Sequence, residues 1–223
     1  MARFSRIEVA IKMKETGIVP VFYHKDPMVC RNVIKACSDG GIKVFEFTNR
    51  GDYAHEMFSE LNKWAEKEVP SMIMGAGSVV DPGTASIYIQ AGANFIVSPV
   101  LNTDMAKICN RRKVLWSPGC GTLSEIGLAE ELGAEIVKIF PGSSVGGPDF
   151  VRAVKGPCPW TSIMPTGGVE PSIDNLREWF DAGVTCVGIG SNLITRELIQ
   201  KKDWEGIRKR VAAAIKIARM FKK

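Results

Sequence analysis

The stretch Ser124–Phe140, SEIGLAEELGAEIVKIF, contains the unit from which the fold is inferred. Its first part, Ser124–Leu132, has the amphipathic spacing of a helix, and Gly133 follows as a residue that commonly ends one. Its second part, Glu135–Phe140, is a short apolar run typical of a buried strand. The turn between them resembles Ala-Gly-Ala-Asn at 91–94 and Ala-Gly-Val-Thr at 182–185. The stretch therefore predicts a helix followed by a strand, and the turn recurs along the chain.

The rest of the chain alternates short apolar runs with longer amphipathic ones. Predicted strands are Ile18–His24, Lys43–Thr48, Ser71–Gly75, Asn94–Ser98, Val114–Ser117, Glu135–Phe140, Thr161–Pro165 and Thr185–Ile189. Predicted helices include Met28–Ser38, Ala54–Lys67, Pro82–Ala91, Thr103–Asn110, Ser124–Leu132 and Ile173–Ala182, with an extra one near the amino terminus at about Ser5–Thr16. Eight strand–helix alternations in 223 residues predict an α/β fold, a (β/α)8 TIM barrel with one domain over 1–223. A doubly wound sheet is the alternative, but no Gly-x-Gly-x-x-Gly turn follows the first strand.

Composition narrows the class of protein. The net charge is +5, and the only basic cluster, near the carboxyl terminus, is interpreted as the solvated face of a last helix, so we expect no nucleic-acid partner. The six cysteines form no Cys-x-x-Cys pair and only two histidines occur, which argues against a zinc site and suits a reducing cytoplasm. The amino terminus lacks the apolar core of a signal peptide, and no apolar run approaches the ~18 residues that a membrane span needs.

Lys138 lies inside an otherwise apolar predicted strand. If folding removes water from this lysine, its charged form is disfavoured, and a neutral amine is a nucleophile that can condense with a ketone. The alternative is a lysine whose head group reaches solvent past Pro141. Glu46 occupies a similar place in the apolar run Lys43–Thr48, which favours the chemical interpretation.

Glu46 shares one face of its predicted strand with Val44 and Thr48, because side chains alternate along a strand. A carboxylate that points into a barrel mouth can shuttle protons if burial raises its pKa or if it acts through water. The alternative is an ion pair with Lys138 or Arg50 that only fills the interior. Arg50 has the planar fork that suits a substrate carboxylate, unless it is an ordinary surface arginine.

Glycine-rich stretches follow three of the predicted strands. Gly75-Ala76-Gly77-Ser78 is interpreted as a turn whose backbone amides and hydroxyl could approach a small anion. Thr166-Gly167-Gly168 and Gly188-Ile189-Gly190-Ser191 follow the seventh and eighth strands, where barrels often bind phosphate. Ordinary glycine turns are the alternative. His24 ends the first strand, and we assign neither histidine a catalytic role.

Taken in order, these residues resemble the 2-keto-3-deoxy-6-phosphogluconate (KDPG) / 4-hydroxy-2-oxoglutarate (KHG) aldolase family. The resemblance runs from about Ile18 to Leu193. It rests on Glu46-x-Thr48-x-Arg50, Gly75-Ala76-Gly77-Ser78-Val79, Ser98-Pro99, Pro118-Gly119, Lys138-x-Phe140-Pro141, Pro165-Thr166-Gly167-Gly168 and Gly190-Ser191.

The resemblance implies a class I aldolase that acts on a keto acid without metal or cofactor and is commonly a homotrimer. It makes Lys138 the Schiff-base lysine and Glu46 the general acid and base. It assigns the pyruvyl carboxylate to Arg50 with the Gly77-Ser78 turn and places Thr166 near the reacting carbon. Pro99 and Phe140 complete the substrate-binding residues that it implies. It assigns phosphate binding to Gly167, Gly168, Gly190 and Ser191.

Three departures from the family pattern leave the substrate open. Ser78 replaces threonine, Val100 replaces glycine, and Gly142-Ser143-Ser144 replaces an alanine–glutamate stretch. The favoured substrate is KDPG, cleaved to pyruvate and glyceraldehyde 3-phosphate. The alternatives are 4-hydroxy-2-oxoglutarate and 2-keto-3-deoxy-6-phosphogalactonate. Two other functions stay open: a sugar-phosphate epimerase or isomerase on the same barrel, and a ligand-binding barrel without catalysis.

Overall fold

A computed structural model describes residues 2–222, which form nine strand segments and ten helices. The strands are β1 (Ile18–Phe22), β2 (Val44–Thr48), β3 (Ile73–Gly77), β4 (Phe95–Val97), β5 (Leu115–Ser117), β6 (Gly119–Cys120), β7 (Val137–Ile139), β8 (Ile163–Pro165) and β9 (Val187–Ile189). The helices are α1 (Arg6–Thr16), α2 (Pro27–Asp39), α3 (Ala54–Glu68), α4 (Pro82–Gln90), α5 (Thr103–Arg112), α6 (Leu123–Glu131), α7 (Gly147–Lys155), α8 (Ile173–Asp181), α9 (Arg196–Gln200) and α10 (Trp204–Phe221).

The strands form a closed parallel barrel. Six of them pair in the order β5-β4-β3-β2-β1-β9, and β6-β7-β8 form a second group. Pro118 separates β5 from β6, since proline has no N–H to donate to a neighbouring strand. On the other side, a parallel bridge between Thr166 and Gly188 joins the two groups. The eight predicted strands are thus confirmed as a (β/α)8 barrel, with the fifth split in two.

Alternation along the strands separates the interior of the barrel from the layer under the helices. In β2, Val44 belongs to the interior cluster, whereas Phe45 and Phe47 pack outward against the helices. In β7, Val137 and Ile139 are likewise outward. Because successive side chains point to opposite faces, Glu46 and Lys138 must point into the barrel.

Helix α1 closes the amino-terminal end of the barrel, as predicted. Its Val9 and Met13 are fully buried in the interior cluster. Ser5 and Glu8 form a reciprocal capping box that fixes the start of the helix. The buried Asn94 side chain accepts hydrogen bonds from the N–H groups of Arg3 and Phe4 at 2.8 and 2.9 Å, which ties the amino terminus to the entry of β4. Functional groups are therefore left to the opposite end.

The prediction for the third strand was wrong by two residues. Gly75, Ala76 and Gly77 belong to β3 and do not form a turn. Both glycines are needed inside the strand because a Cβ on Gly75 would lie 2.4 Å from the Phe95 ring, and one on Gly77 would lie 1.8 Å from Glu46 Oε1. Helices α7, α9 and α10 were not delimited from the sequence, although a last helix was predicted. Among residues 2–222, none of the helices has the length and apolarity required to span a bilayer.

Candidate active site

Two ionisable side chains meet in the interior of the barrel, where strands β2 and β7 carry them. Glu46 is 1% exposed and Lys138 is 4% exposed. Each follows an apolar interior residue by two positions, Val44 in β2 and Ile136 before β7. The alternative of a lysine whose head group reaches solvent does not fit this burial. The interior of the barrel is therefore apolar at its amino-terminal end and contains ionisable side chains one layer further along.

Burial lowers the pKa of the Lys138 amine. The nearby Glu46 charge opposes this shift, and the Arg50 guanidinium adds to it. The Phe140 ring covers the amine, with Nζ 4.7 Å from the ring centroid. A larger neutral fraction at working pH makes this amine a nucleophile for a carbonyl carbon.

Burial raises the pKa of the Glu46 carboxyl, while Lys138 and Arg50 pull it down. Within residues 2–222 neither oxygen of this carboxyl has a hydrogen-bond partner, so Glu46 does not form a hydrogen-bonded ion pair with Lys138 or Arg50. The missing side chain of Gly77 leaves the space that the carboxyl occupies. A carboxyl with a raised pKa and free lone pairs can act as a general acid or base.

Three hydroxyl groups add to this polar layer. The Oγ1 atoms of Thr48 and Thr166 and the Oγ of Ser117 are buried, and none has a hydrogen-bond partner among residues 2–222. Ser117 points inward because Leu115, two positions earlier, belongs to the interior cluster, while Trp116 packs outward. The sequence analysis did not select Thr48 or Ser117 as site residues. Strand alternation is the signal that could have found both of them.

A cavity of 610 Å³ opens at the carboxyl ends of the strands, beyond Glu46 and Lys138. Thr48 lies two positions after Glu46, and Phe140 lies two positions after Lys138. Both of them line this cavity. The lining includes the cationic side chains of Arg50 and Arg196 and the ring of His24, and it includes no aspartate or glutamate among the described residues. The cavity therefore favours an anionic ligand.

Seven of the predicted site residues line this cavity. They are Arg50, Phe140, Thr166, Gly167, Gly168, Gly190 and Ser191. Arg50 is exposed at the rim. Its backbone N–H donates to Thr48 O at 2.9 Å, and the next residue, Gly51, packs against the Tyr23 hydroxyl.

The other five predicted site residues do not line the cavity: Glu46, Lys138, Gly77, Ser78 and Pro99. Gly77 lies against the Glu46 carboxyl, and Ser78 follows β3 with a left-handed backbone, φ 57°. Pro99 packs its backbone against Gly119, which pairs with Lys138 across the β6–β7 ladder. Gly77 therefore contacts Glu46, and Pro99 contacts the strand partner of Lys138.

The two glycine-rich loops lie next to each other. Gly167 and Gly168 have left-handed backbones, φ 95° and 76°, and the preceding Thr166 bridges to Gly188. After Gly190 the chain makes a helical turn, in which the N–H groups of Leu193 and Ile194 donate to the Gly190 carbonyl. Glycines let the backbone approach an anion closely, so both loops can offer N–H groups to a ligand in the cavity.

The sequence analysis missed Arg196 and did not use His24 as a ligand-binding residue, although both line the cavity. Arg196 lies five positions beyond Ser191 and carries no local signal of its own. Among the residues described, no group of three His, Cys, Asp or Glu side chains could hold a metal ion.

Comparison with known proteins identifies what this arrangement resembles. Residues 9–210 match the family model for KDPG and KHG aldolase. The chain is 31% identical over 204 residues to the KHG/KDPG aldolase of Escherichia coli, covering 91% of this chain and 92% of that protein. It is 32% identical over 191 residues to the 2-dehydro-3-deoxy-phosphogluconate aldolase of Pseudoalteromonas atlantica, covering 85% and 86%.

A solved structure is similar over nearly the whole chain. It is KDPG aldolase from Legionella pneumophila with pyruvate captured as a covalent carbinolamine intermediate. The TM-score is 0.83 at 27% identity, covering 92% of this chain and 97% of that one. The barrel is thus shared with an enzyme of this family.

Proposed function

The chain belongs to the KDPG and KHG aldolase family and is an aldehyde-lyase, and from that premise we propose that it uses Lys138 as a Schiff-base nucleophile. The observation that carries the proposal is the burial of an amine, 4% exposed, and a carboxyl, 1% exposed, inside a barrel whose amino-terminal layer is apolar. The carbinolamine in the Legionella pneumophila relative supports covalent amine chemistry.

In the proposed first half of the reaction, the neutral Lys138 amine adds to the C2 ketone of a 2-keto-3-deoxy acid. The carbinolamine loses water and becomes a protonated imine. Glu46, directly or through water, takes the proton of the C4 hydroxyl. The C3–C4 bond then breaks, its electron pair moves into the imine to form an enamine, and an aldehyde leaves.

In the second half, C3 of the enamine takes up a proton, and water hydrolyses the imine to release pyruvate and the free amine. Arg50 binds the C1 carboxylate so that C2 faces Nζ of Lys138. Gly77, Ser78, Pro99, Phe140 and Thr166 shape the pyruvyl site. Positioning of this kind can lower the barrier by several kcal/mol, about 7 where the geometry is favourable.

We infer that the substrate is 2-keto-3-deoxy-6-phosphogluconate and that the aldehyde product is glyceraldehyde 3-phosphate. The two glycine loops, with Gly167, Gly168, Gly190 and Ser191, would bind the phosphate. Their adjacency and the absence of carboxylates from the described lining support a phosphorylated substrate. 2-Keto-3-deoxy-6-phosphogalactonate, which differs at one stereocentre, and 4-hydroxy-2-oxoglutarate, which lacks the phosphate, are the competing substrates.

A pyruvate-release assay with the three keto acids tests the assignment of substrate. We expect the highest kcat/KM for the phosphogluconate derivative. Ser191→Asp places a carboxylate beside the proposed phosphate site, so it should raise KM for phosphorylated substrate far more than it affects pyruvate hydrogen exchange. Equal effects on both reactions, or a preference of wild type for 4-hydroxy-2-oxoglutarate, would contradict a phosphate site there.

We also propose self-association, as a homotrimer by family resemblance, through the loops around the cavity. Tyr53, Val80, Val100 and Leu123 expose 72%, 51%, 46% and 43% of their surface, and they follow the strands β2, β3, β4 and β6 in turn. Apolar residues grouped in this way mark an interaction surface. Light scattering should report three copies for wild type and fewer for Val100→Glu, and a monomeric wild type would contradict the proposal.

A cytoplasmic location is part of the same proposal. All six cysteines are free thiols, five of them buried, which suits a reducing compartment. Cell fractionation tests this directly.

A further inference from the structure

We propose that His24 and Arg196 form a donor pair that binds the distal phosphoryl group of the substrate and so decides which aldehyde the enzyme handles. The inference rests on the proposed function and extends it to two side chains that the family motifs do not include. The donor pair stands on the same side of the cavity as the glycine loops.

Neighbouring strands bring the two residues together. Strands β9 and β1 pair in parallel, with Gly188 opposite Val19 and Ile189 opposite Pro20. His24 follows β1 by two residues, and Arg196 is the first residue of α9, after β9. Both therefore leave the carboxyl edge of adjacent strands, and both line the cavity that also contains Gly190 and Ser191.

Arg196 is available to a ligand. It is exposed at the cavity, and within residues 2–222 it forms neither an ion pair nor a side-chain hydrogen bond, whereas its neighbour Glu197 pairs with Lys201 at 2.6 Å. The Thr195 hydroxyl accepts a hydrogen bond from the Leu198 N–H at 3.3 Å and fixes the start of α9. A guanidinium so placed can offer two parallel N–H groups to phosphate oxygens.

His24 is held in one orientation with one tautomer. Its Nδ1 accepts a hydrogen bond from the Asp26 N–H at 3.0 Å, so the ring proton of the neutral form lies on Nε2. The Phe22 ring stacks against it, with 6.5 Å between the centroids and 6° between the planes. The imidazole therefore presents an N–H donor from a fixed ring, which costs little side-chain entropy on binding.

The distal group that fits best is a phosphoryl group at the end of a three-carbon aldehyde. Two glycine loops with close backbone approach, a guanidinium and an imidazole N–H supply more donors than the carboxylate of a two-carbon aldehyde can use. A neutral hydroxymethyl end would leave the Arg196 charge without a partner. The lining contains no carboxylate among the described residues that would repel a dianion.

The test runs the reaction towards condensation, with pyruvate and one of three acceptors: glyceraldehyde 3-phosphate, glyceraldehyde or glyoxylate. Arg196→Ala should raise KM for glyceraldehyde 3-phosphate about 10-fold and leave kcat within about twofold, as expected for loss of a charge-assisted contact. His24→Ala should raise the same KM about 3-fold, since it removes a neutral donor. Arg196→Lys should recover part of the loss.

Arg177→Ala is the matched control, because it removes one exposed arginine that pairs with Asp174 on α8, away from the cavity. It should behave as wild type with all three acceptors. The inference is overturned if Arg196→Ala behaves like this control, or if it changes KM for glyceraldehyde as much as for the phosphorylated acceptor. A loss confined to glyoxylate would also overturn it, because the bound group would then be a carboxylate.

The proposed function and this inference fail in different ways. A wild-type protein that condenses pyruvate with none of the acceptors contradicts the function. A wild-type protein that is active, with a selectivity for the phosphorylated acceptor that both alanine variants retain, contradicts only the donor pair.

Discussion

The two ends of the barrel interior are built on opposite principles. At the amino-terminal end, Val44 and Ile73 pack with Val9 and Met13 of α1 in a fully apolar cluster. One layer further along the same strands, Glu46 and Lys138 are equally buried, and several hydroxyl groups beside them have no hydrogen-bond partner within residues 2–222. Val44 and Glu46 are thus only two positions apart in β2, yet burial of Val44 stabilises the fold and burial of Glu46 destabilises it.

The difference shows where the fold can tolerate unfavourable groups. A buried ion is costly unless it is well paired, and these two are not joined by a hydrogen bond. The apolar end supplies stability that offsets the cost of burying ionisable groups at the other end. Changes at the two ends should consequently separate activity from stability.

Removing the amine should have the largest effect. We expect Lys138→Ala to lower cleavage at least about 10³-fold, because no other group can form the covalent bond. Stability should not fall, since a buried amine is lost. Pyruvate release and urea denaturation measure the two effects. Lys43→Ala is the control, because it removes a lysine that bonds to Ser71 at the opposite end of β2, and it should keep full activity. Wild-type turnover in Lys138→Ala would refute the assignment of Lys138 as the nucleophile.

The apolar end should show the reverse pattern. Ile73→Ala leaves an empty space within the apolar cluster and should lower the free energy of unfolding by about 2–5 kcal/mol. At a temperature where the variant is folded, its kcat should stay within about threefold of wild type, because Ile73 belongs to the apolar cluster and does not line the ligand cavity. Denaturant midpoints and kcat on the same preparation check this. A fall in kcat as large as that of Lys138→Ala would mean that the two ends are not independent.

Gly77→Ala tests the position of the Glu46 carboxyl. The added Cβ would lie 1.8 Å from Glu46 Oε1, so the carboxyl must move. A displacement of this size should lower kcat about 10²-fold. Gly127→Ala is the control: in helix α6 a Cβ at Gly127 meets nothing within 4 Å. If the two variants have the same kcat, the position of the Glu46 carboxyl does not matter for turnover.

The smallest effect concerns stability against pH. Because burial raises the pKa of Glu46 above 4.5 in the folded state, the folded protein holds this proton more tightly than the unfolded chain. Stability is therefore lost as pH rises from 4.5 through the folded pKa, and Glu46→Gln should avoid this loss. The difference in free energy of unfolding between Glu46→Gln and wild type should grow by about 1.4 kcal/mol for each unit of pKa shift. Denaturation of both proteins from pH 4.5 to 8 measures this difference. Parallel curves of unfolding free energy against pH would contradict a cost of burying the ionised Glu46 carboxyl.

Much of the fold could be predicted because each unit of the barrel carries local signals. Apolar runs, cap residues and glycine turns located the strands and most helices to within one or two residues. The third strand was misplaced because Gly75 and Gly77 look like turn residues. Their real cause is long-range: a phenyl ring from β4 and the carboxyl of Glu46 occupy the space that their side chains would need.

The site was predictable to the extent that its residues contradict their surroundings. Glu46 and Lys138 stand out as charges within apolar strands, and strand alternation could have added Thr48 and Ser117. Arg196 could not be found in this way, since a charged residue at the start of a short surface helix is ordinary. Only the pairing of β9 with β1 brings it to the same cavity as His24.

Borohydride reduction in the presence of pyruvate, followed by peptide mass mapping, tests whether Lys138 forms a Schiff base. We expect one pyruvate-derived adduct per chain, on the peptide that contains Lys138, and none without borohydride. An adduct on another lysine, or full activity with no adduct at all, would contradict a Schiff base at Lys138.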